Sequence, residues 1–254
     1  MIINLWSTPR TGSNWYAEFL FTNLKKTNNK TQIFHQYLNY FHFINYSKSN
    51  HGDWLYEYDK NCTYPNFEYD FLKKSITFQH KLGKRTRDPK VEESHRIHIL
   101  DNHDQNKFPL ILHNHVMPMS EKSYTYLFNK ANKNIFLYRE NLVDQLSSYA
   151  LAYSSTIWKP KSNLKVLQNV KTDKNVIKNL YDRILHWHSL DKTNCDVVKY
   201  EDIKFSDYPN IKITKQNKVK PFDQLHIETQ TYILELNDNF LRTKIEKNFL
   251  LWQQ

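Results

Sequence analysis

The sequence predicts an α/β fold in three layers, with a central, mostly parallel sheet flanked by helices. Three observations lead there. Short apolar runs alternate with stretches of helical periodicity along the chain. Leu110-Ile111-Leu112 and Ile135-Phe136-Leu137 are continuously apolar rather than alternating, as suits strands covered on both faces. The first strand runs into a glycine turn and then directly into a helix. Strands alternating with helices imply parallel pairing through right-handed crossovers.

The opening run Ile2 to Ser7 reads as the first strand. Ser7-Thr8-Pro9-Arg10-Thr11-Gly12-Ser13-Asn14-Trp15 follows, and it holds one of only three glycines in 254 residues. Trp15 to Leu24 reads as a helix, with Tyr16, Phe19, Leu20 and Leu24 on one face. Strand, tight turn and helix start together aim backbone N–H groups at an anion, a P-loop-like arrangement. Arg10 adds a cation there, and Thr11, Ser13 and Asn14 add side-chain donors. The Walker pattern of phosphate-binding NTPases is absent, because this loop has a single Gly and its basic residue precedes it.

Further strands are expected at Pro109 to His115, Asn134 to Tyr138 and Asp196 to Tyr200. Helical patterns cover Ser120 to Lys130, Asn141 to Ser154 and Val176 to Leu190. A long C-terminal helical segment spans Gln224 to Trp252, with a break expected near Asn237-Asp238. Residues 45–108 are polar, rich in His, Lys and aromatics, and punctuated by loop-like stretches such as Gly83-Lys84-Arg85-Thr86-Arg87-Asp88-Pro89. They read as an acceptor-side insertion within one domain spanning residues 1–254.

Composition narrows the function. The length is ample for one large core. Apolar residues make up 39% and aromatics 15%, so Tyr and Phe carry much of the burial. The net charge of +10 points to an anionic partner, or to a solvated lysine excess. A basic nucleic-acid- or nucleotide-binding protein without group transfer is therefore the alternative class, although the lysines are spread along the chain and no compact recognition motif occurs. Cys62 and Cys195 are the only cysteines, which gives neither a disulfide framework nor a metal-type spacing. His113 and His115 share a strand face, but no third ligand accompanies them, and no metal is expected. The chain enters its first strand at once and has no apolar run near the ~20 residues of a membrane span. A soluble, cytoplasmic protein is expected.

The second informative stretch is Asn134-Ile135-Phe136-Leu137-Tyr138-Arg139-Glu140-Asn141-Leu142-Val143-Asp144-Gln145-Leu146-Ser147. Arg139 sits where a strand ends, and Ser147 lies eight residues on, two turns into the next helix. Ligands of open α/β sheets bind at the C-terminal strand ends, so Arg139 is expected at the same edge as the Gly12 turn. A guanidinium beside a hydroxyl suits a phosphate.

Together these blocks resemble the sulfotransferases that use 3′-phosphoadenosine 5′-phosphosulfate (PAPS). Pro9-Arg10-Thr11-Gly12-Ser13-Asn14-Trp15 is similar to that family's 5′-phosphosulfate loop. Arg139 and Ser147 match its 3′-phosphate pair, and Lys199-Tyr200-Glu201-Asp202-Ile203 resembles its Tyr-Glu-Asp-Leu segment. The resemblance implies sulfuryl transfer from PAPS to an acceptor hydroxyl, with 3′-phosphoadenosine 5′-phosphate (PAP) as product. A carbohydrate or small-molecule acceptor fits best. It implies that Thr11, Gly12, Ser13 and Asn14 hold the 5′-phosphosulfate and that Arg10, where Lys is usual, neutralises charge on the departing oxygen. Trp15 would pack on adenine or serve as a core aromatic. Arg139, Ser147 and Tyr200 would complete the nucleotide site.

A hydroxyl acceptor must also lose a proton. The run Leu110-Ile111-Leu112-His113-Asn114-His115-Val116-Met117-Pro118 is similar to the family strand ending in the catalytic His, which places that role on His115. His35, in Phe34-His35-Gln36-Tyr37-Leu38-Asn39, is the rival base. No Arg-Lys-Gly block occurs near the C-terminus; Lys215, Lys218 and Lys220 read either as a solvated lysine loop or as a substitute for such a clamp, the loop being the simpler reading.

Overall fold

A computed structural model describes residues 1–35, 97, 100–101, 103–106, 109–115, 121–155, 167–203 and 220–246. In chain order the elements are β1 (Ile2–Ser7), α1 (Ser13–Thr27), β2 (Gln32–His35), β3 (Leu110–His115), α2 (Glu121–Lys130), β4 (Lys133–Tyr138), α3 (Leu142–Ser155), α4 (Lys174–Ser189), β5 (Asp196–Lys199) and α5 (Ile227–Glu246). Residues 45–108 lie almost wholly outside the described residues, as do Lys215 and Lys218.

The five strands form one sheet in the order β2-β3-β1-β4-β5. The pairs β1–β3, β1–β4 and β2–β3 are all parallel. Every residue of β1 is buried, which is why its sequence shows no regular alternation of apolar and polar residues. The expected mostly parallel α/β sheet flanked by helices is the fold observed. Non-consecutive neighbours in the strand order require the helical crossovers that parallel pairing demands.

The chain divides into two compact units. The first comprises Met1–Ser7, Ser13–Phe136 and Lys192–Val197; the second comprises Thr8–Gly12, Leu137–Asp191 and Val198–Gln254. In the first unit Ile2, Leu5, Trp6, Leu110, Ile111, Leu112 and Phe136 are fully buried. Trp6 stacks on Phe136 with ring centroids 6.2 Å apart, and Tyr124 of α2 lies 4.9 Å from Trp6. Several polar groups inside this core are hydrogen-bonded, although Asn4 Oδ1 and Asn114 Oδ1 find no partner among the described residues. Asn134 Oδ1 accepts from Trp6 Nε1 at 2.9 Å, and Asn4 Nδ2 donates to the Leu127 carbonyl at 2.6 Å.

In the second unit α3, α4 and α5 share one core. Leu142, Leu146 and Ala150 meet Ile177, Leu180 and Ile184 of α4 and Ile233, Leu236 and Phe240 of α5. The N-terminus of α4 is capped by Asp173, whose carboxylate accepts from the Asn175 N–H at 2.8 Å.

Three expectations need correcting. α5 runs unbroken through Asn237 and Asp238. Thr229, Ile233, Leu236 and Phe240 are all buried at helical spacing, so packing on both sides overrides the weak propensity of the Asn-Asp pair. The sheet also holds a fifth strand, β2, which periodicity does not announce because it has only four residues, two of them polar. The last expected strand residue, Tyr200, instead opens a short 3-10 turn, Tyr200–Asp202.

Candidate functional site

The turn Thr8–Gly12 belongs to the second unit, where α3 holds it. Gln145, only 1% exposed, donates from Nε2 to Thr8 Oγ1 at 2.9 Å and to the Pro9 carbonyl at 2.7 Å. Thr11 Oγ1 closes the turn on the Thr8 carbonyl at 2.9 Å. One helical turn beyond Gln145, Ser148 Oγ accepts from Arg10 Nε at 2.9 Å. Sequence reasoning missed Gln145 and Ser148. The available signal was two polar residues three apart on the helix that follows the Arg139 strand end.

The turn is conformationally unusual. Arg10 has φ 65° and Gly12 φ 80°. A left-handed arginine is uncommon and persists where its surroundings enforce it, here through the Ser148 and Gln145 bonds. Gly12 faces a different constraint. A Cβ there would lie 2.2 Å from Cε2 of the Tyr200 ring, so only glycine fits beneath that ring.

Tyr200 also carries Arg139, whose guanidinium carbon lies 5.2 Å from the centre of the same ring. The Gly12 turn and Arg139, separated by more than a hundred residues, thus meet on one aromatic side chain. Burial pushes the Tyr200 phenol upward, Arg139 opposing and Glu201 adding to the shift, so the ring stays neutral at ordinary pH. Arg139 Nη2 donates to Asp144 Oδ2 at 3.1 Å, and its Nε lies 3.8 Å from Glu201 Oε1. Burial lowers the Arg10 guanidinium from its ordinary value, and the positive charge of Arg139 adds to that shift. Two guanidiniums close enough to feel each other, one of them partly buried, form a place where an anion gains more than it would in water.

Ser147 is fully buried, and among the described residues its hydroxyl has no hydrogen-bond partner. Its neighbour Ser148 is the hydroxyl that Arg10 uses. An unpaired buried hydroxyl costs free energy, and a ligand oxygen would remove that cost.

The remaining sequence-predicted residues lie in the first unit. Ser13 and Asn14 open α1, Ser13 buried and Asn14 exposed. Trp15 stacks on Phe19 of its own helix, with centroids 6.2 Å apart and planes 10° from parallel. Ser7, His113 and His115 gather at the C-terminal ends of β1 and β3, where Ser7 is in register with His115. His113 is fully buried, with Nε2 3.2 Å from Ser7 Oγ. The His115 ring meets it edge-on at 5.3 Å and is only partly buried. By backbone register His35 of β2 stands opposite His113. Among the described residues, no group of three His, Cys, Asp or Glu is placed to hold a metal ion. Among them, too, no helix is long and apolar enough to cross a membrane.

No curated protein and no solved structure matches the chain at a significant level. A family model described as "Sulfotransferase domain" does, over residues 3–212. That span holds the Gly12 turn, the strand ending in His115, the Arg139–Ser147 block and the Tyr200 turn, and the chain belongs to the sulfotransferase domain family.

Proposed function

We propose that this chain transfers a sulfuryl group from PAPS to an acceptor hydroxyl, on a carbohydrate or a small molecule. One observation carries the reading. Arg10 and Arg139 are drawn together around Tyr200 and Gly12, in a chain whose family moves sulfuryl groups. A nucleotide with anionic groups at both its 3′ and 5′ positions matches two neighbouring guanidiniums, whereas a single carboxylate or phosphate needs only one. The fit is supported by the unpaired Ser147 hydroxyl and by the close backbone approach that Gly12 alone allows.

PAPS, when bound, supplies a sulfuryl group on a good leaving group, and PAP is released. The residues of this chain do the rest. The Thr11 and Gly12 N–H groups, followed in sequence by those of Ser13 and Asn14, bind the 5′-phosphosulfate. Ser148 holds Arg10 through Nε, which orients its positive charge toward oxygen that becomes more negative as sulfur departs. Arg139 and Ser147 recognise the 3′-phosphate, Tyr200 braces the nucleotide site, and Trp15 offers a face to adenine. His115 takes the acceptor proton, with its ring set by the buried His113–Ser7 pair. His35 remains the rival base. Residues 1–254 are read as a single sulfotransferase-like domain, with 45–108 as an acceptor-side insertion.

Incubation of the purified protein with PAPS and pooled hydroxyl acceptors, read by mass spectrometry, tests the proposal. An acceptor gaining the mass of one sulfuryl group, with PAP formed in equal amount, is the expected result. PAP release in the absence of any modified acceptor, or none at all, rejects it.

A further inference from the structure

We infer that Glu201 is a positioning residue that presets Arg139 for the 3′-phosphate, a role that rests on the nucleotide reading above. Its carboxylate accepts from two consecutive backbone amides at the entry to α3, from Glu140 N–H at 3.0 Å and Asn141 N–H at 3.2 Å. The same Oε1 faces Arg139 Nε at 3.8 Å. Asn141 in turn caps α3, its Oδ1 accepting from the Asp144 N–H at 3.0 Å. Asp144 then receives the Arg139 Nη2 bond at 3.1 Å. Arg139 is therefore flanked by two carboxylates, each fastened to the first turn of the helix that also bears Ser147, and its face is covered by Tyr200.

Such a frame removes most of the rotamer freedom that a long arginine loses on binding. Charge alone predicts the opposite of this role. A carboxylate beside an anion site repels the anion, so a mere counter-ion would improve binding when neutralised. A positioning residue weakens binding when neutralised, because the two amides bond to different carboxylate oxygens and Gln replaces one of those oxygens with a donor NH2.

Calorimetry with PAP and with adenosine 5′-phosphate, which lacks the 3′-phosphate, separates these outcomes. Glu201→Gln should lose about tenfold in PAP affinity and keep its affinity for adenosine 5′-phosphate. Asp144→Asn should show the same selective loss. Asp202→Asn, equal in charge change but away from the amides, should leave the preference intact. Unchanged or tighter PAP binding in Glu201→Gln overturns the inference, as does equal weakening of both nucleotides in both variants. A wild-type protein that does not prefer PAP overturns the nucleotide reading and this inference with it.

Discussion

Arg10 is the residue where conformation and charge meet. Its backbone is left-handed, its side chain is tied to Ser148, and burial lowers its pKa. If its charge acts mainly as the sulfuryl group departs, Arg10→Ala should cut kcat by about a hundredfold or more while PAP affinity falls only a few-fold. Single-turnover rates and calorimetry on one preparation measure both. Arg139→Ala should instead weaken PAPS by at least about tenfold and leave the analogue without the 3′-phosphate nearly untouched, as competition binding would show. His115→Ala should reduce transfer by about a hundredfold or more with PAP still bound, and near-normal turnover would move the base to His35.

The residues nearest the proposed chemistry were legible because their types are rare or local. One glycine in a strand–turn–helix and one arginine at a strand end stand out in any reading. Gln145, Ser148, Asp144 and Glu201 did not, since each acts through a contact that only the folded chain creates. Ser147 and Ser148 are adjacent in sequence and fall on different sides of α3, so spacing alone could not say which one Arg10 would meet.

Among the elements, α3 does the most for the proposed site. One side of it joins the core with α4 and α5, while Gln145 and Ser148 secure the turn at residues 8–12. Long, periodic elements were legible to within two or three residues at most ends, as α2, α3 and α4 show. β2 was not, because four residues cannot establish a period. The uninterrupted α5 is a case where burial outweighs local preference. Phe240, beyond the expected break, is buried against His188 at 5.4 Å between ring centres. Phe240→Ala should therefore destabilise the protein by about 3–5 kcal/mol, a loss that a denaturant melt would register as a lower midpoint. A shift of a few tenths would mean that this part of α5 contributes little.

At the scale of the whole molecule, the chain crosses between its two units and returns. Residues 8–12 leave the first unit for the second, and α1 resumes the first at Ser13. The net charge of +10 acts over longer distances than any single contact and draws anions of every kind. Selectivity must then come from fixed geometry. Binding to immobilised PAP should survive a rise in salt that releases a random oligonucleotide, since partly buried pairs are screened less than surface ones. Parallel loss of both with salt, without nucleotide preference, would favour the general polyanion-binding alternative.

The ring of Tyr200 resting on Gly12 carries an evolutionary corollary. These two sites cannot drift independently. Descendants of this chain that acquire a methyl group at residue 12 must shrink or swing away the aromatic at residue 200, and giving up that aromatic costs Arg139 its platform. Substitution histories at the two sites should consequently be correlated, although nearly two hundred codons separate them.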